Sequence, residues 1–228
     1  MNKVIVITGG AGGLGRAIIE KLCGQNTIIA LDSSQEKLNE LQAQTSCQTL
    51  LCDITDPEQV KKTIEKILQD NDKIDVLINN AGVWIQGKLN ENDDQKISNV
   101  FAVNCLGTIY TTKYVLPAMQ ENNAGLIFNI VSMAGLSAKG ERSVYNASKW
   151  AMTGFTKCLQ EDLKGTQIRA MGIYPSLVNT KLFENAGISR NDLDRGLNPD
   201  QIAKTIEFAM SLEPTVNLDE IVIKDIRY

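Results

Sequence analysis

Histidine is absent from this chain of 228 residues. A histidine base, a Ser-His-Asp triad and a His-ligated metal are therefore excluded. Any proton chemistry falls to Tyr, Lys, Asp, Glu or Cys. Cysteine is sparse: Cys23, Cys47, Cys52, Cys105 and Cys158 are odd in number and form no C-x-x-C pair. That argues against a disulfide framework or a zinc site and suits a reducing, cytoplasmic compartment, with the thiols as small buried apolar groups. No apolar run approaches the ~20 residues of a membrane-spanning helix. The run Val4 to Ile7 is too short for a signal-peptide core, and glycines follow it at once. Net charge is −4, so electrostatics gives no reason to expect nucleic acid or a membrane as partner.

What is present is ordinary in bulk and ordered in detail. Hydrophobic residues make up 43% and charged residues 22%, as in a soluble globular protein. The length suits one domain, 1–228, with a sizeable core. Short β-branched runs (Lys3 to Thr8, Thr27 to Leu31, Gln48 to Leu51, Asp75 to Ile78, Leu126 to Val131, Gln167 to Ile173, Glu220 to Lys224) read as strands. Between them lie helical stretches: Gly13 to Cys23, Ser34 to Gln44, one opening at Asp56-Pro57, Asp94 to Glu121, Ser143 to Leu163 and Asp200 to Leu212. Ser33 or Ser34 caps the second, and Asp56 with Pro57 starts the third. Such alternation predicts an α/β fold, a mostly parallel, doubly wound seven-stranded sheet with helices on both faces. The polar segment from Lys181 to Asn198 predicts a mobile substrate loop.

Thr8 to Gly15 reads TGGAGGLG, between a strand and a helix. Gly9, Gly13 and Gly15 form one glycine register, and Gly10, Gly12 and Gly15 another. Either lets the backbone approach a pyrophosphate at a helix N-terminus. The acid at the end of the next strand is Asp32. Its carboxylate can accept hydrogen bonds from ribose hydroxyls and repels a 2′-phosphate. Ser33 follows where an arginine would favour NADP, so NAD(H) is expected over NADP(H). Arg16, at the helix start, reads as a solvated residue that can meet a phosphate only by turning inward.

Ser132 follows the fifth strand, at the sheet end where open parallel sheets bind ligands. Tyr145 and Lys149 come later, in Y-N-A-S-K, one helical turn apart. A free phenol titrates near 10; a lysine cation beside it lowers that value. The phenol can then exchange a proton with a substrate oxygen during hydride transfer, while Ser132 orients that oxygen.

Taken together, Thr8-Gly9, Gly13-Leu14-Gly15, Asn79-Asn80-Ala81-Gly82, Asn104, Ser132 and Tyr145/Lys149 resemble the short-chain dehydrogenase/reductase family, a Rossmann-like fold. The matches run in family order from Val4 to Thr180. The resemblance implies that Asn80, Ala81 and Gly82 line the adenine-ribose side of the cofactor cleft. Asp53 contacts adenine, with Ile54 beside it, or else serves only as a turn or cap. Asn104 holds a water linking Lys149 to solvent, and Lys149 also bonds the nicotinamide ribose. Pro175 to Thr180 covers the nicotinamide, with Val178 meeting the carboxamide through its backbone and Thr180 through its hydroxyl. Ser176 stands where the family usually has glycine. The chain is a short form, expected to lack the C-terminal segment that helps complete the site in many members.

Trp84, Met133, Ala134, Leu177, Leu182 and Phe183 are expected to face the nicotinamide, giving an apolar pocket for a small or medium carbonyl compound or its secondary alcohol. Arg142 can clamp a carboxylate, but a solvated surface role is the simpler expectation. Two rivals stand beside the oxidoreductase: a dinucleotide sensor with no chemistry, and a nucleotide-sugar epimerase or dehydratase, for which the chain is too short. A homodimer or homotetramer packed through the long helices around Asn104 and Tyr145 is what the family resemblance implies.

Overall fold

The computed structural model describes residues 2–227. Seven strands form one sheet: β1 (Val4–Thr8), β2 (Thr27–Asp32), β3 (Gln48–Leu51), β4 (Val76–Asn79), β5 (Gly125–Ile130), β6 (Ile168–Pro175) and β7 (Glu220–Ile223). Their order is β3-β2-β1-β4-β5-β6-β7. Every pairing is parallel, so the sheet is wholly rather than mostly parallel. The interior strands are continuous apolar runs because helices cover both faces; all five residues of β1 are buried.

One face carries α1 (Gly13–Leu22), α2 (Gln35–Gln44) and α8 (Pro199–Ser211). Ile18, Ile19, Leu38, Leu41, Ile202 and Ile206 pack there against Ile5, Ile7 and Ile28. The other face carries α3 (Pro57–Asn71), α5 (Thr108–Glu121) and α6 (Ser143–Asp162). Val60, Ile64, Val115, Met119 and Leu159 pack there against Val6, Leu31 and Leu77. Burying one such side chain contributes roughly 1.5–3 kcal/mol, so the two layers hold the sheet from both sides.

Helix ends follow the expected chemistry. Ser34, not Ser33, caps α2 by accepting from the Lys37 N–H. Asp56 caps α3 through the N–H groups of Glu58 and Gln59, with Pro57 in the first turn. The stretch expected as one long helix is interrupted. α4 (Asp94–Phe101) runs into a π-helical turn, Ala102–Gly107, before α5 begins. Such turns recur at functional sites, and Asn104 lies inside this one. The segment after β6 is more ordered than its polarity suggested. It contains α7 (Leu182–Asn185) and a 3-10 turn, Leu193–Arg195. Its ends are tied where Leu197 N–H donates to Leu177 C=O at 2.8 Å and Asn179 N–H donates to Leu197 C=O at 2.9 Å.

Candidate active site

The strand order changes direction between β1 and β4, and in such sheets ligands bind beyond the carboxyl ends there. A cleft of about 580 Å³ opens at that point. Its floor is the glycine loop. Gly9 adopts φ 62°, and a Cβ there would stand 2.8 Å from the Ala81 Cα. Gly12 precedes α1 without any side-chain cap, and no acid occupies the first turn. The first-turn N–H groups are thus left to a ligand, and a positive helix end with no competing carboxylate fits a pyrophosphate. A Cβ on Gly13 would press on Thr180 at 3.2 Å, which keeps the floor open beneath that residue. Leu14 also lines the cleft. Gly15 does not: a side chain there would strike the Gly9 carbonyl and Gly10. Its work is close packing under the loop, so the expected cofactor contact becomes a supporting one.

Asp32 faces the cleft. One carboxylate oxygen accepts from the Ala11 N–H at 3.2 Å and the other from Ser34 N–H at 3.1 Å. Arg16 turns away. Its guanidinium donates to Ala11 C=O and Gln44 and pairs with Glu40 at 2.9 Å. Asp53 lines the same end while accepting from the N–H and hydroxyl of Thr55; it fills both of the positions expected for it, cleft wall and turn. Ile54 is buried beside it. Asn80 donates to the carbonyls of Thr8 and Gly9, both at 3.0 Å. The Thr8 hydroxyl accepts from the N–H groups of Asn80 and Ala81. Thr8 and Asn80 therefore fix the glycine loop to the end of β4, with Ala81 and Gly82 completing the wall.

Ser132, Tyr145 and Lys149 meet across the cleft from that floor. Ser132 has φ 155° and ψ 158°, a region populated almost only by glycine and costing about 1–3 kcal/mol. The strain is held by the end of β5 and by Ala134 N–H donating to the Ser132 hydroxyl at 3.1 Å. Tyr145 and Lys149 are both buried on α6. The Lys149 ammonium donates to Ile130 C=O at 3.1 Å and lies 5.9 Å from the Tyr145 ring centre.

Burial pushes the Tyr145 phenol up to about 12; the Ser132 hydroxyl and the charge of Arg142 pull the other way. Burial also pushes the Lys149 ammonium down to about 8. In this geometry burial outweighs the acidifying effect expected of Lys149. The Lys149 head donates to the end of β5, and Arg142 is a second cation that bears on Tyr145. Asn104 does not line the cleft. Its amide accepts from Val83 N–H at 2.8 Å and donates to Val83 C=O and the Ser148 hydroxyl. The Ser148 hydroxyl in turn donates to Tyr145 C=O at 2.7 Å.

The short chain dehydrogenase family model matches residues 3–191. The chain belongs to that family. An uncharacterized oxidoreductase of Staphylococcus saprophyticus is 31% identical over 232 residues, covering 99% of this chain and 98% of its relative. A serine dehydrogenase in its closed form, complexed with NADP+, aligns with TM-score 0.90 at 26% identity, over 96% of this chain and 94% of that one. ElxO with NADP bound aligns with TM-score 0.87 at 28% identity, over 99% and 98%. This short-chain dehydrogenase is accordingly an oxidoreductase on a Rossmann-like fold.

The apolar residues expected around the nicotinamide line the other end of the cleft. The Trp84 ring lies 4.2 Å from that of Tyr145 and 4.7 Å from that of Phe183. Met133, Ala134, Leu177 and Leu182 also line this end, as do Pro175, Val178 and Thr180. Polar members went unread in the sequence. Asn146 lines the cleft and donates to Ser137 C=O, leaving its buried Oδ1 unpartnered. Arg190 lies 4.6 Å over the Phe183 ring and pairs with Asp192. Asn146 stands inside the Y-N-A-S-K motif, one residue after Tyr145, where its position signalled a site neighbour. Arg190 carried no such signal. Arg142, expected to be solvated, instead stacks 5.0 Å over Trp84.

A buried polar lattice supports this end from below. Asn79 donates to Thr112 and Asn129 and accepts from Thr111; Asn129 donates to Thr156. It ties β4 and β5 to α5 and α6.

Proposed function

We propose that this short-chain dehydrogenase interconverts a small or medium carbonyl compound and its secondary alcohol, with Tyr145 as general acid and base. The observation that carries the reading is the convergence of Ser132, Tyr145 and Lys149 on one cleft floored by the glycine loop. The dinucleotide, when bound, supplies or accepts the hydride. In reduction Tyr145 gives its proton to the carbonyl oxygen, and in oxidation it takes that proton back. A phenol raised to about 12 holds its proton at neutral pH, which suits the reductive role. Ser132 hydrogen-bonds the same oxygen. Lys149 bonds the nicotinamide ribose. Asn104 acts on Tyr145 through Ser148 and holds a water that connects Lys149 to solvent.

Gly9, Gly13 and Leu14 cradle the pyrophosphate in this reading. Asp53, Ile54, Asn80, Ala81 and Gly82 take the adenosine side. Pro175, Val178 and Thr180 cover the nicotinamide. Asp32 favours NAD(H) over NADP(H) by repelling a 2′-phosphate, and Arg16 is committed to Glu40. Two considerations run against that preference: Lys37 lines the cleft at the same end, and the solved neighbours named above carry NADP. Exposed Phe101, Leu106 and Trp150, beside Asn104 and Lys149 in the chain, support a homodimer or homotetramer packed through these helices. Five free thiols support a cytoplasmic setting.

The deciding experiment is a carbonyl and alcohol panel assayed with both dinucleotides in both directions. Hydride transfer to or from at least one class supports the reading. Dinucleotide binding with no turnover across the panel overturns it in favour of a sensor.

A further inference from the structure

Charge is divided unevenly along the cleft. Its two acidic residues, Asp32 and Asp53, line the adenosine end, whereas Lys139, Arg142, Lys181 and Arg190 line the substrate end. The chain as a whole is acidic, at net charge −4, so this basic mouth is a local arrangement. Arg190 is already committed to Asp192 at 2.6 Å. Arg142 differs. Its Nε is buried and has no hydrogen-bond partner, and no carboxylate among the described residues pairs with its guanidinium. A cation held against an aromatic ring with a buried donor unused is costly unless an anion or acceptor arrives.

The geometry says what should arrive. Arg142 is the N-cap residue of α6, three positions before Tyr145. Its guanidinium stacks 5.0 Å over Trp84, whose ring lies 4.2 Å from that of Tyr145. Both side chains line one cleft, and the Arg142 charge bears on the Tyr145 phenol, so an anion on Arg142 and an oxygen on Tyr145 can belong to one short molecule. A guanidinium offers a planar fork that matches the two oxygens of a carboxylate. Trp84, Leu177 and Phe183 give the intervening carbons an apolar wall.

Resting on the oxidoreductase reading, we propose that Arg142 binds a carboxylate on the substrate, so that the carbonyl compound is a short oxo acid and the alcohol a hydroxy acid. The class of reaction that supplies or consumes such a pair is one that makes or uses small organic acids.

The test compares 2-oxobutanoate and 3-oxobutanoate with their methyl esters, on the dinucleotide-loaded protein and its Arg142→Gln and Arg142→Lys variants. At least one acid is expected to exceed its ester in kcat/KM by tenfold or more. Arg142→Gln should cut that acid-to-ester ratio at least tenfold, with partial retention in Arg142→Lys. If Arg142 acts only on the Tyr145 phenol, acid and ester lose equally, and the carboxylate assignment is overturned. Esters that match the acids in the unaltered protein overturn it too, while leaving the oxidoreductase standing. Should none of the four turn over, calorimetric titration of the same probes decides. Acid binding weakened tenfold by Arg142→Gln supports the assignment; no acid binding, or binding indifferent to the variant, overturns it.

Discussion

The two halves of the cleft are built differently. At the pyrophosphate and adenosine half, the polar side chains are matched within the protein, Asp32 with Ala11 and Ser34, Asn80 with Thr8 and Gly9, Asp53 with Thr55, and only the first-turn N–H groups of α1 are left to a ligand. At the substrate half, buried atoms of Trp84, Arg142, Asn146 and Ser176 have no partner, Ser132 is strained, and two titratable groups are displaced from their usual range. One half is a finished surface that receives a common ligand. The other stores unfavourable free energy that a substrate can release, and this is where reactivity and stability oppose each other.

The sharpest way to separate the halves is Tyr145→Phe. The ring keeps its packing against Trp84, and the dinucleotide floor is untouched. Dinucleotide affinity should stay within about threefold while turnover falls by about two to four orders of magnitude, the usual contribution of general acid-base catalysis. Fluorescence titration alongside steady-state rates checks both. Turnover that survives would remove the phenol from the chemistry and erase the contrast.

Lys149 should show the cost of the reactive half in stability. Its usual value of 10.5 is lowered to about 8 by burial, so between those values the unfolded chain binds more protons than the folded one. Stability therefore rises with pH across that window, and the burden is fully present below about 8. Lys149→Met removes it. The variant should resist denaturant better than the parent near neutral pH, by up to about 3 kcal/mol, and the gain should shrink toward pH 10.5. Tyr145 works oppositely. Raised from 10.0 to about 12, it contributes stability that is lost as pH climbs through that interval. Denaturant unfolding at several pH values measures both slopes, and a gain that does not vary with pH would contradict the assignment to Lys149.

The same division explains what the sequence discloses. The adenosine half is made of local signals: a glycine run between strand and helix, and an acid at the next strand end. The parallel sheet is legible for the same reason, since β-branched runs alternate with 3.6-residue periodicity. The substrate half joins side chains far apart in the chain, such as Trp84, Arg142 and Phe183, and no spacing rule links them. The Tyr145/Lys149 spacing correctly placed both residues on one helical face. It could not tell which way the ammonium turns, because that depends on the carbonyl of Ile130 at the end of β5. Nor does periodicity mark the π turn at Asn104, whose amide bonds to Val83 and Ser148 far away in the chain.

A smaller effect probes the finished half. Asp32→Ala removes a carboxylate from the adenosine end of the cleft. The kcat/KM ratio for NADP(H) over NAD(H) should rise about tenfold, equivalent to about 1.4 kcal/mol of relieved repulsion. Because Asp32 also accepts from Ala11 and Ser34, Asp32→Asn serves as the control that keeps an acceptor while losing the charge. An unchanged ratio in both would shift the discrimination to Lys37, the cation lining the same end.

The smallest effect should differ in size between the two states of the protein. Ser176 replaces the family's usual glycine, its N–H donates to Ile223 C=O at 2.8 Å, and its buried hydroxyl has no partner. An unmatched buried hydroxyl is unfavourable, so Ser176→Ala should stabilise the dinucleotide-free protein by about 1 kcal/mol. If the hydroxyl meets a bound molecule, that molecule's affinity should fall by about three- to fivefold, and the stabilisation it confers should fall with it. Thermal unfolding with and without dinucleotide, and then with substrate, reads both sizes in one series. A gain of the same size in every state would show that Ser176 touches neither ligand and that this part of the half is strained for no recognition purpose.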